Sequence, residues 1–199
     1  MTSERRHKVL VTFFVVAPFL GVLLAIYFCW QKYVFPSDII LLVSLHLATA
    51  LGETIGYHRM LTHQGFETHP FVRRFFIALG SMAFAGMSQP DDWAATHIKH
   101  HAHSDEEGDP HSPLDGFWHA HFGWLFHSYK HEGRVEEYAP HLLNDPDVQF
   151  VKRWWFLWTF LTFFIPFAIG GWTGVLWGGV VRLFVTEHTT WSEIGRAHV

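Results

Sequence analysis

The sequence predicts an all-α membrane protein: four transmembrane helices, arranged as two hairpins, carrying a cytosolic cap rich in histidine. Three observations predict it. Long uncharged apolar stretches stand near both ends of the chain, each long enough to cross a bilayer. Most of the charges and histidines gather between them. The apolar runs come in pairs, which returns the chain to one face.

Taken in order, the first span is Lys8–Trp30, "KVLVTFFVVAPFLGVLLAIYFCW", without a charge after Lys8. That length covers a hydrocarbon core of roughly 30 Å. It is too long for the apolar region of a cleaved signal peptide and lacks a small-residue cleavage site. The second span is Asp38–Tyr57, "DIILLVSLHLATALGETIGY". Phe75–Met87 is apolar but too short to cross, so it reads as a re-entrant or interfacial helix. Trp154–Val185 is apolar except for Arg182. At about 1.5 Å per residue it exceeds one crossing, and Gly170-Gly171 divides it into a second hairpin. The polar stretch between, about His58 to Lys152, is the cap. An even number of spans leaves the cap and the N-terminus on one side. Arg5, Arg6, Lys8, Arg59, Arg73 and Arg74 make that side cytoplasmic.

The 199 residues include 17 His, 20 Phe and 10 Trp but a single Cys, Cys29, so a disulfide framework within the chain and a cysteine metal site are excluded. A net charge of −4 and the lack of a basic tail leave no nucleic-acid signature.

The histidines are not scattered. In "WAATHIKHHAHSDEEGDPHSP", His97, His100 and His101 fall at i, i+3 and i+4, at roughly 0°, 300° and 40° around a helix. Three imidazoles then share one narrow face, and His103 projects away from it. In "GYHRMLTHQGFETH", His58 and His63 are five apart, about 140° on a continuous α-helix. They can aim at one metal if the second span ends or bends near Leu61-Thr62. His69, before Pro70, reads as structural. Two histidine groups meeting at a membrane face suit a nitrogen-rich site for iron, copper or zinc. Structural zinc closes with four ligands, so five histidines fit two metals better.

H-x-x-x-x-H followed by H-x-x-H-H, in these contexts, resembles the first two histidine boxes of the membrane fatty acyl desaturases of the Δ9, stearoyl-CoA desaturase-like family. "DPHSPLDGFWHAHFGWLF" and "DPDVQFVKRWW" agree with that family's later segments, and the resemblance covers about residues 40 to 192. It implies O2-dependent insertion of a cis double bond into a saturated acyl chain by a histidine-ligated di-iron centre. The substrate would be a fatty acyl thioester or acyl lipid, and electrons would come from a ferredoxin, cytochrome b5 or similar donor. It makes His58, His63, His97, His100 and His101 iron ligands. Trp93 and Thr190, in "HTTW", match residues that shape the bend of the family's acyl tunnel. Asp109 is the expected partner orienting a ligand imidazole, ahead of Asp105, Glu106 and Glu107, for which a solvated acidic loop is the plainer reading. An unactivated methylene C–H is beyond side-chain chemistry, so the metal must supply the oxidising power and the protein a dry, shaped cavity.

Two departures stand out. Animal acyl-CoA enzymes carry Arg-Asp just before box two, where this chain has Ala95-Thr96, which leaves room for an acyl-lipid or acyl-carrier-protein substrate. The third box and its preceding Asn-x-x-x-His are missing. The family pattern stops at "EIGRAHV", which codons from the start of a common sequencing adapter would encode, so the seventh residue after Trp191, His198, is read as coincidence. The expectation is one desaturase domain over residues 1–192, lacking its C-terminal part and inactive as it stands, followed by a non-native tail at 193–199. Two other readings compete. One is a histidine-box alkyl or sterol hydroxylase. The other is a non-catalytic membrane metal- or haem-binding protein, for which His46 and Glu53 inside a span would matter.

Overall fold

The computed structural model describes residues 3–84, 88–104, 106–127 and 133–194, and it is helical, with no strand among them. Asp105, the end of the Phe75–Met87 segment and His198 with most of the tail lie outside the described residues.

Helix α1 runs Ser3–Trp30 and α2 Pro36–Leu51. The second continues without a break into a π-helical segment, Gly52–Thr62. Then come α3 (Pro70–Ala83), α4 (Pro90–Ala102) and two short helices, α5 (Phe117–His121) and α6 (Val135–Tyr138). They are followed by α7 (Pro146–Arg153), α8 (Trp155–Gly174), a second π-helical segment (Val175–Val181) and α9 (Arg182–Ile194). Proline marks the starts: Pro36, Pro70, Pro90 and Pro146 each sit in the first turn of a helix, where the missing N–H costs nothing. His69 caps α3, its Nδ1 accepting from the Phe71 N–H at 3.2 Å, which is the structural role expected of it.

Three helices are long and apolar enough to cross a membrane: Glu4–Trp30, Pro36–Thr62 and Trp155–Ser192. Their outward faces are apolar, with Phe13 61% and Ile26 59% exposed, as a lipid-facing surface requires. The third is not straight. Gly171 has φ 61° and ψ −145°, a backbone state that favours glycine, and the chain folds back there. A Cβ on Gly178 would stand 2.9 Å from Pro166 Cβ, and one on Gly179 would stand 3.1 Å from Phe163 Cδ1. Residues 174–179 therefore lie along residues 163–166. Arg182, the charge expected within this stretch, is fully buried and bonds the carbonyls of Gly178 (3.1 Å) and Met82 (3.2 Å). Those carbonyls meet the hydrogen-bonding need that burial would otherwise leave open.

The cap has its own core, with Tyr57, Leu61, Ile77, Ala94, Ala95, Ala139, Val148 and Val151 buried together. Ion pairs fasten α7 beneath α3 and α4. Arg73 bonds Asp145 (2.7 Å) and Asp147 (3.2 Å), Arg74 bonds Asp147 (2.6 Å), and Lys152 bonds Asp91. Asp145 also caps α7, accepting from the N–H groups of Asp147 and Val148. Burial opposes its charge, but the Arg73 bond and these N–H donors hold its carboxyl below the usual range.

Candidate metal centre

The first histidine pair owes its geometry to the π-helical winding. On an α-helix residues five apart diverge, whereas an i→i+5 bond closes a π turn and brings them back to one face. That bond is present: His63 N–H donates to the His58 carbonyl at 3.0 Å. The span does end at Thr62, as expected, and the sequence reading missed only that it widens into a π-helix from Gly52 onward before it stops. The His58 and His63 rings are 4.5 Å apart, with a hydrogen bond of 3.1 Å between their Nε2 atoms. Glycine lets α3 press against this segment. A Cβ on Gly56 would lie 2.7 Å from the Phe76 carbonyl oxygen, and one on Gly80 would lie 2.6 Å from the Tyr57 ring.

Helix α4 delivers the second group. His97 and His101, one turn apart, share an Nε2–Nε2 hydrogen bond of 3.1 Å. The two groups meet: ring centroids are 4.9 Å apart for His58 and His97 and 4.8 Å for His63 and His101. One ligand nitrogen from each of His58, His63, His97 and His101 lies within 4.8 Å of the others. Two nitrogens held at about 2.1 Å by one ion are at most about 4.2 Å apart, so a small closing movement would seat a metal. The donor set is all nitrogen, without thiol or carboxylate, which suits iron, copper or zinc. Burial, then the neighbouring imidazoles, push the His97 pKa down to about 2, so His97 stays neutral with a lone pair to offer.

His100 is the one expected ligand that stands apart from these four. Its ring is 5.9 Å from His97 and 5.7 Å from His101, and it belongs to a second, fully buried group with Asp109 and His111. Its Nδ1 is 2.9 Å from Asp109 Oδ1, the place anticipated for Asp109 as an orienting partner. Burial works against the Asp109 charge. The bonds from His100 and from the His111 N–H outweigh it and hold the carboxyl below its usual range. His111 is the residue that sequence reasoning passed over. Its only signal was its place two residues after Asp109, and its pKa is pushed down to about 3 by burial and by His100.

Trp93 stacks on His97, with ring centroids at 4.7 Å and planes 22° apart, and touches Tyr57 at 5.5 Å. Thr190 on α9 donates to Glu53 Oε2 at 2.8 Å, tying the last helix to the segment that bears the first histidine pair. His46 is engaged with Thr186 at 3.0 Å, so it serves the packing of α2 against α9, as Glu53 does that of the π-helical segment. Glu106 and Glu107 are exposed, as a solvated loop would be. His141 bonds the Leu61 carbonyl at 3.2 Å, and His121 bonds His188 at 2.9 Å.

The sequence model of the fatty acid desaturase family matches residues 37–193. The chain is 33% identical to an sn-1 stearoyl-lipid 9-desaturase of Anabaena variabilis, over 74% of this chain and 54% of the relative. It is 34% identical to a hex-5-enoyl-[acyl-carrier protein] acetylenase of Moorena producens (strain JHB), over 92% of this chain and 62% of the relative. An sn-2 palmitoyl-lipid 9-desaturase of Nostoc sp. (strain 36) is 31% identical, over 99% and 68%. The chain thus spans between about half and two thirds of the length of these relatives.

Proposed function

The chain belongs to the fatty acid desaturase family, and on that premise we propose that it forms part of an O2-dependent acyl desaturase that puts a cis double bond, at Δ9, into a saturated acyl chain. The observation that carries this reading is the convergence of His58 and His63 with His97 and His101 across the fold.

In this proposal two iron ions are held by His58, His63, His97, His100 and His101, with the remaining ligands supplied by a third histidine box beyond the matched region. When bound, iron supplies the power to oxidise a methylene with O2 that side chains lack. The rest is this chain's work. The π-helical winding brings two imidazoles to one face, and burial keeps His97 neutral and ready to bind. Asp109 holds a proton at His100 Nδ1 and so leaves Nε2 as the ligand atom. Trp93, packed on His97, and Thr190, tied to Glu53, flank the acyl chain where it bends.

In this proposal the chain crosses the membrane four times, the reversal at Gly171 being the turn of the second hairpin, and the centre lies on the cytoplasmic face, the same face as Arg5, Arg6 and Lys8. A ferredoxin or cytochrome b5 delivers the electrons. The relatives' names speak of acyl lipids and of an acyl-carrier-protein thioester. With Ala95 and Thr96 buried where a charged pair would grip CoA, those carriers are preferred to acyl-CoA.

The test is expression of a gene completed with its downstream coding sequence in a desaturase-deficient host. Monounsaturated product that disappears in His97→Ala supports the reading. Product that persists in His97→Ala overturns it.

A further inference from the structure

His111 is 2% exposed and takes no part in the four-histidine group. It packs against His100, ring to ring at 4.3 Å, and edge-on to Trp124 at 5.1 Å. Its backbone N–H donates to Asp109 Oδ1 at 3.1 Å, and its Nδ1 approaches the same oxygen at 3.4 Å without completing a hydrogen bond. A buried imidazole nitrogen left in that state is costly, which asks for a function. Asp109 has its own need. Its side chain is 0% exposed, and a buried carboxylate persists only when donors surround it.

We propose that His111 is a positioning residue for His100: a buried His100–Asp109–His111 relay in which both imidazoles face one carboxylate oxygen and fix the ring and tautomer of His100. This inference rests on the histidine-centre reading above and deepens it. With Nδ1–H of His100 committed to Asp109, Nε2 is the nitrogen left to bind a metal. His111 contributes in two ways. Its ring is the wall that keeps His100 from rotating, and its Nδ1, 3.4 Å from Asp109 Oδ1, is placed to close on that oxygen as a second side-chain donor and hold the carboxylate turned toward His100.

The probe is Co2+, titrated into the purified chain in detergent micelles and read by its visible absorption. Wild type, His111→Phe, His111→Gln, Asp109→Asn and His97→Ala are compared, and near-UV circular dichroism of each metal-free protein checks the fold. His111→Phe keeps the wall and removes the nitrogens, so Co2+ should bind roughly 10–100-fold more weakly and with a shifted spectrum. His111→Gln, which restores a donor, should recover most of the loss. Affinity in His111→Phe within about twofold of wild type, alongside a loss in Asp109→Asn, would show that Asp109 acts alone and sink the relay. Loss in His97→Ala separates the two claims, since it upholds the histidine centre whatever His111 does. Wild type that binds no Co2+ overturns both. A second measurement needs no variant: 15N shifts of the metal-free imidazoles should show His100 and His111 both protonated at Nδ1. A bare Nδ1 on His111 would set two lone pairs against each other and contradicts the relay.

Discussion

The His58 and His97 rings lie 4.9 Å apart although the two residues come from different helices, one π-wound and one α. Neither helix alone carries four imidazoles, so the centre exists only where the two meet. Every expectation for activity depends on that contact.

Replacing His97 or His101 with Ala in the completed enzyme should cut bound iron at least tenfold, roughly the scale of losing a ligand or its support, and abolish desaturation. His141→Ala removes only a hydrogen bond to the Leu61 carbonyl. It should cost about 1 kcal/mol of stability and leave the iron in place. Iron analysis and product analysis on the same preparations check both, and metal loss in His141→Ala would be the contrary result.

Gly56→Ala should be poorly tolerated. Its Cβ would stand 2.7 Å from the Phe76 carbonyl oxygen, which is backbone and cannot swing aside. Overpacking of this kind costs roughly 1–3 kcal/mol and would push α3 off the π-helical segment. Gly65→Ala is the control, since its Cβ would meet the Arg59 carbonyl oxygen at an ordinary 3.5 Å. Equal stability of the two variants in thermal melts would contradict the packing argument.

Acid should loosen the cap at α7. The Asp145 carboxyl is depressed in the folded chain, so its contribution is fully present above the unfolded value of about 3.9. It is lost as pH falls through the lower, folded value. Protection factors across Pro146–Arg153, taken relative to the intrinsic exchange rate at each pH, should therefore fall below about pH 4, and Asp145→Ala should show reduced protection already at neutral pH. The substitution removes a helix cap and the Arg73 partner together, a loss of roughly 2–3 kcal/mol. Exchange in Asp145→Ala that matches wild type at neutral pH would show that the ion pairs do not fasten the cap.

Thr190→Val should leave Glu53 buried without its hydroxyl donor. A buried acceptor robbed of a partner costs about 1–3 kcal/mol, so the melting temperature should fall and Glu53→Leu in the same chain should restore part of it. No rescue in the double variant would mean the pair is not coupled.

Much of this was legible in the chain because hydropathy and histidine spacing are local signals. The spans of α1 and α2 and the i, i+4 pair His97 and His101 followed from them directly. The π-helical winding did not, since nothing in "GETIGYHRMLT" distinguishes i→i+5 from i→i+4 bonding until α3 packs against Gly52 and Gly56. His111, the Arg73–Asp145 pair and the Thr190–Glu53 bond stayed hidden for a related reason. The last two join residues 72 and 137 positions apart, and only the closed fold gives them a common address.

The central claim is that the two histidine pairs hold one metal centre, and a double-mutant cycle on metal affinity tests it most directly. Fe2+ binding would be measured without oxygen for the wild-type chain, His58→Ala, His97→Ala and the double variant. Ligands of a shared centre are coupled, so the account predicts that either single substitution removes most of the binding and that the double loses little more. Losses that simply add, or a single variant that binds as wild type does, would place the two pairs in separate sites and contradict the account.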